Sequence, residues 1–299
     1  MQAIPYRRAH AGAIAMVLLS SLLAGCVTAS RCNTACNPEE RVPAGLVRLA
    51  EKKAEPLSRA ADKVHFRAGR LYGNHEAAEY LMAQMQPGDV LAVSNRGTLA
   101  AKLIPGFFTH TAAYVGNERQ LRSLGLWTDP AVVPHHDAIR AGRVIIEAVN
   151  NGVVLSLPNA VFDTDRIVVA RPGGADGGSP EQRRAAVAAL LSRMGTPFDF
   201  HFDASTDDEL FCVEFLQCSI PALRLPVETV YGRPTIKPVA LAEAVFEDRS
   251  NLAFVAYLKG PGRFERRTAV RIGRGAARSP ERAGCDGAST TRSSASARR

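Results

Sequence analysis

The chain has 299 residues, is 46% hydrophobic and 22% charged, and carries a formal net charge of +8 at pH 7. That charge sits at the ends: residues 263–299 hold ten arginines against three acids, and Arg7 and Arg8 add two more positive charges, which leaves residues 26–262 near −1. The basic excess is therefore no property of the folded part, which excludes a basic groove for nucleic acid, and the apolar content supports one proper core.

Arg7 and Arg8 precede an apolar run over residues 11–24, shorter than the ~20 residues a spanning helix needs. A positive start, a short apolar run and small residues before a cysteine read as a secretory signal over residues 1–25. The ending Leu23-Ala24-Gly25-Cys26 resembles the bacterial lipobox, in which cleavage precedes the cysteine and lipid is attached to it. The expectation is a lipidated Cys26, a tether over residues 26–45, and attachment to the membrane through that lipid. Val27 is not the aspartate that retains lipoproteins in the inner membrane of enteric bacteria, so the outer membrane, periplasmic side, is the expected location.

Two helical stretches are predicted at residues 46–64 and 75–85. The Pro87-Gly88-Asp89 turn and a strand at 90–93 follow. A short helix at 98–103 leads to a strand opened by His110 and running to Gly116. Residues 117–142, with Trp127, His135 and His136, read as a polar insertion that forms either a wall of a cleft or a surface loop. Strands are predicted at 143–148, 152–157 and 166–170, a loop at 173–178, and a helix at 180–194 with proline in its first turn. After the Cys212 helix comes a long connection from Pro221 to Pro238, a helix at 239–246 and a strand at 252–258. The fold class is α+β, one domain over residues 46–262. The tail over 263–299 is rich in Arg, Ala, Ser and Gly and is expected to be disordered.

Cys212 is the most informative residue. The acidic turn Thr206-Asp207-Asp208-Glu209 is followed by Phe211-Cys212-Val213-Glu214-Phe215-Leu216, which puts the thiol in the first turn of a helix. Unpaired N–H groups and the helix dipole there favour an anion and lower a thiol pKa. The other reading is a buried structural cysteine. The six cysteines are Cys26, Cys32, Cys36, Cys212, Cys218 and Cys285. With Cys26 lipidated, an odd number remains, so at least one thiol is unpaired in an oxidising compartment. Cys218 reads as core.

A nucleophilic Cys212 needs a base, and the base needs a group on its far nitrogen. Of the seven histidines, His110 stands out at the first position of an apolar strand, where its ring can point off the sheet end. A capping role is its alternative. Glu147 lies within the apolar run Val144-Ile145-Ile146-Glu147-Ala148-Val149, and a carboxylate there is expensive unless it is paired or faces water at an edge.

Gly88-Asp89-Val90, Thr109-His110-Thr111-Ala112-Ala113-Tyr114-Val115-Gly116, Ile146-Glu147-Ala148, Gly195-Thr196-Pro197-Phe198-Asp199-Phe200 and Phe211-Cys212-Val213-Glu214 come in one order. Together they resemble the permuted papain-like amidases of the YaeF/YiiX type, a branch of the NlpC-like cysteine hydrolases. The His strand precedes the Cys helix, which is the circularly permuted order, and the resemblance covers roughly residues 75–245. It implies an antiparallel sheet packed against the helix that carries the cysteine. It also implies Cys212 as nucleophile, His110 as general base and Glu147 as the residue orienting it, with the Cys212 N–H in an oxyanion hole. No metal or organic cofactor is called for. Val213 stands where the family has a small serine, and Phe198 where it has a tyrosine. The expected function is cleavage of amide bonds, in cell-wall stem peptides as the natural substrate for an envelope location. The alternatives are a lipid acyl-hydrolase or acyltransferase of the same fold, and a binding module without catalysis.

Overall fold

A computed structural model describes residues 52–104, 106–174, 177–230, 232–247 and 251–260. The expected signal, lipidated cysteine, tether and basic tail lie outside the described residues, as does the start of the first predicted helix.

Helix α1 (Ala54–Asp62) is followed by α2 (His75–Gln84), whose cap Asn74 accepts from the Ala77 N–H. Strand β1 (Val90–Ser94) is buried along its whole length. Helix α3 (Leu99–Leu103) starts at Thr98, whose hydroxyl accepts from the Ala101 N–H, and β2 (His110–Tyr114) follows. The predicted insertion is structured. It holds α4 (Glu118–Ser123), with a capping box between Asn117 and Gln120, a 3-10 turn (Val133–His135) and α5 (His136–Arg140). Trp127 is buried in the core and stacks on His136 at 3.8 Å, and the His136 ring meets the Trp127 carbonyl at 2.7 Å. The indole closes the core under α4 and α5, and the insertion is no surface loop: Asn117, Glu118, Ile139 and Arg140 form part of the wall of a cleft.

The chain continues through β3 (Ile145–Val149), β4 (Gly152–Ser156), α6 (Pro158–Phe162), β5 (Arg166–Pro172) and α7 (Pro180–Ser192). Helix α8 (Cys212–Ser219) comes next. The connection that reads as irregular in sequence holds a 3-10 turn (Pro221–Leu223) and a hairpin of β6 (Glu228–Val230) and β7 (Arg233–Thr235). Helix α9 (Val239–Phe246) and strand β8 (Leu252–Lys259) complete the described chain. Among the described residues no helix is long and apolar enough to cross a membrane.

Six strands form one antiparallel sheet in the order β4-β3-β2-β1-β5-β8. The fold is α+β, with α8 packed against β2 and β3. Between His110 and Tyr114, β2 carries only Thr111, Ala112 and Ala113, and these small side chains let the helix come close to the strand. At the far end of β1, Asp89 is buried and takes both Nε and Nη2 of Arg171, at 2.7 and 2.8 Å, which ties the β1 turn to β5.

Candidate active site

Sheet register builds the site from its base. β2 and β3 are antiparallel, with Ala113 opposite Ile146 and Tyr114 opposite Ile145. Side chains alternate across a strand, so His110, Ala112 and Glu147 share one face. The small Ala112 leaves the diagonal open, and His110 Nε2 meets Glu147 Oε2 at 2.7 Å. The two side chains are 26% and 9% exposed. Glu147 therefore does not face water from an edge strand: β4 lies outside β3, and the carboxylate is held by the ring it orients.

Cys212 is the first residue of α8, 5% exposed, and the free cysteine among the described residues. With Nε2 on Glu147, Nδ1 of His110 is left for the sulfur, and each of the two groups shifts the other's titration. Burial would lower the His110 pKa, but the bonds and charges of Cys212 and Glu147 outweigh it and raise the ring to about 10. Burial would raise the thiol, and the same His110 bond pulls it below its ordinary value, helped by the Thr111 backbone. The Glu147 carboxyl would also be raised by burial, yet His110 and the Ser156 hydroxyl hold it below the usual carboxylate range. All three shifts run in the direction that favours a thiolate beside an imidazolium and an ionised carboxylate.

The segment before α8 is held as tightly as the strands. Gly195 N–H donates to the Val153 carbonyl and Val153 N–H to that of Thr196, both at 2.9 Å, so the loop is stitched to the edge strand β4. Asp199 is buried and accepts the N–H groups of His201 and Asp203 at 2.6 Å each. Between them Phe202 has φ 55°, a strained conformation that the Asp199 bonds hold in place. Phe202 packs edge-on against Phe211 at 5.5 Å, immediately before the nucleophile. On α8 itself, Glu214 is 1% exposed. Its Oε2 accepts the Phe211 N–H at 3.3 Å, and its Oε1 has no partner. Burial raises this carboxyl to about 9, with Asp199, Asp203 and Asp207 adding to the effect. It is a neutral acid at pH 7, and so places no second negative charge beside the thiolate.

Cys212, His110 and Glu147 come together as the sequence predicts. Ser156, Asp199 and Glu214 are additions. A register for the β3–β4 hairpin, with Glu147 opposite Val154, would have pointed to Ser156 two residues on. Cys218 packs against the core, in line with its sequence reading, and is disulfide-bonded. A cleft of about 950 Å³ with a mainly apolar lining opens between α2, α4, α5 and α6, among Met82, Ile139, Val144, Leu157 and Phe162. It contains none of the three site residues and lies toward the far end of β2 from His110, so the chemistry and not the cavity identifies the site. Among the described residues no group of three or more His, Cys, Asp or Glu side chains is arranged to hold a metal ion.

A family model described as permuted papain-like amidase enzyme, YaeF/YiiX, C92 family, matches residues 84–231, a span that includes His110, Glu147 and Cys212. Among solved structures the chain is similar to the crystal structure of metalloprotein yiiX from Escherichia coli O157:H7. Identity is 17% and the TM-score 0.43, over 59% of this chain and 99% of that one. No curated protein matches the chain.

Proposed function

Through residues 84–231 the chain belongs to the permuted papain-like amidases of the YaeF/YiiX type, and from that premise we propose that it hydrolyses amide bonds with Cys212 as nucleophile, His110 as base and acid, and Glu147 as the residue that orients His110. The observation that carries this reading is the continuous line from a free thiol at a helix start, through His110, to a buried carboxylate at 2.7 Å.

In the proposed cycle the Cys212 thiolate attacks the carbonyl carbon. The developing oxyanion is met by the Cys212 N–H, one of the first-turn donors that the helix itself leaves unpaired. The His110 imidazolium gives its proton to the departing amine, the C–N bond breaks, and a thioester remains. The neutral ring then takes a proton from water, hydroxide adds to the thioester, and the carboxylic acid leaves as the thiolate returns. Glu147 keeps the Nε2 proton in place throughout, which fixes the tautomer that faces the sulfur.

A signal over residues 1–25, a lipid on Cys26 and a location on the periplasmic face of the outer membrane would bring the site to envelope polymers. Peptide amides of cell-wall stem peptides are the proposed substrate. The test is alkylation of the purified chain by iodoacetamide from pH 5 to 9, with the label localised to Cys212, followed by turnover of stem-peptide fragments and of acyl-ester lipids. Fast labelling below pH 7 that is lost in His110→Ala, with release of amine from peptide fragments, supports the reading. Labelling at the rate of an ordinary thiol with or without His110 overturns it. Turnover of lipid esters alone would reassign the substrate.

A further inference from the structure

We propose that the Thr111 hydroxyl is a positioning group for the nucleophile, donating a hydrogen bond to the Cys212 sulfur when that sulfur is a thiolate. The inference rests on the reading of Cys212 and His110 as the reactive pair. Thr111 follows His110 on β2, the strand against which α8 packs, and is 0% exposed. Its Oγ1 is buried and completes no hydrogen bond, while its backbone and hydroxyl are both among the groups that lower the Cys212 thiol. The next two residues, Ala112 and Ala113, offer no polar group to share.

A buried hydroxyl without a partner is costly, and valine has the same shape without that cost. The strand has no need of the oxygen: valine suits a β-strand at least as well. What the oxygen lacks is an acceptor, and the group beside it is a weak acceptor as a thiol and a strong one as a thiolate. Ionisation of Cys212 therefore completes the Thr111 bond, and the Thr111 bond in turn favours ionisation. His110 supplies the compensating charge and Thr111 a neutral donor from the strand beneath. When the sulfur attacks a carbonyl it loses its charge and this bond weakens. The hydroxyl thus enlarges the thiolate population at low pH and slightly restrains each thiolate.

The experiment compares wild type with Thr111→Val, Thr111→Ser and His110→Ala, reading the pH dependence of Cys212 alkylation from pH 5 to 9 and urea unfolding. Thr111→Val is expected to move the acid limb up by about half to one pH unit, or about 3- to 10-fold slower labelling below the limb. At pH 9 its rate equals or exceeds that of wild type, and its stability is equal or greater. Thr111→Ser returns the limb to its original position. Should the valine variant fail to fold, Thr111→Ala loses the same oxygen with no steric demand and carries the test. A hydroxyl-free variant that superimposes on wild type, while His110→Ala shifts the limb, overturns the role of Thr111 and leaves the reactive pair standing. A limb unmoved by His110→Ala removes the pair itself, and this inference with it.

Discussion

Replacing Glu147 by Gln keeps the shape of the side chain and removes its charge, which isolates what the carboxylate does for the pair. In the wild type it meets the His110 ring at 2.7 Å, and its side chain is 9% exposed. A hydrogen bond to a charged partner is worth about 1.5–3 kcal/mol, roughly twice a neutral one, so the substitution loses about 1–1.5 kcal/mol. That is about one pKa unit. The imidazolium becomes less favourable, so the His110 value falls from about 10, and the thiol loses part of the positive charge that lowers it. The window in which thiolate and imidazolium coexist narrows from both sides. In the pH profile of iodoacetamide labelling at Cys212, Glu147→Gln should move the acid limb up by about one unit. Labelling at a pH below the limb would then be about tenfold slower, while the alkaline plateau is unchanged. Amide turnover should fall over the same range, with the larger effect on kcat. An acid limb that stays in place, or moves down, refutes the claim that Glu147 stabilises the charged ring.

His110→Ala should slow Cys212 labelling at pH 6 to that of an ordinary thiol and reduce amide turnover by ~10²–10⁴-fold. Glu214 tests the linkage between burial and stability. Its folded value is about 9 against an unfolded value near the ordinary ~4.5, so between those pH values the folded chain keeps a proton that the unfolded chain releases. Stability then falls as pH rises through that window, by up to about 1.4 kcal/mol per unit. Glu214→Gln should match wild type near pH 4 and exceed it by a growing margin at pH 6–8 in urea unfolding, and parallel curves would refute the shift. Arg171→Ala strands the buried Asp89 carboxylate and should cost about 3–5 kcal/mol at pH 7. The loss should shrink at pH 4, where Asp89 takes up a proton. Gly152 has φ +91°, and a Cβ there would lie 2.5 Å from the Thr196 carbonyl. Gly152→Ala should therefore cost on the order of 3 kcal/mol and release the 195–197 segment from β4, seen as faster amide exchange at Gly195 and Val153.

The proposed catalytic residues were legible because each is a local anomaly in its own segment. A cysteine opens an apolar helical run at Cys212, a histidine opens an apolar strand at His110, and Glu147 interrupts a strand otherwise built for burial. Periodicity and turn chemistry likewise placed most strands and the α+β class, since those signals depend only on neighbours along the chain. Tertiary structure decided which buried polar groups found partners. Ser156 reaches Glu147 through the β3–β4 register, Arg171 reaches Asp89 from β5, and Thr111 keeps a buried oxygen without a partner. The 117–142 segment looked polar and irregular because its short helices bury one residue each, Leu121 and Ile139, beside Trp127 and Val132, rather than a periodic stripe. A pattern along the chain encodes which face a residue prefers. Whether a charge there is neutralised, capped or left alone is set by side chains far along the chain, as in the separation of 37 residues from His110 to Glu147 and of 82 from Asp89 to Arg171, and only closure of the fold brings them within 3 Å.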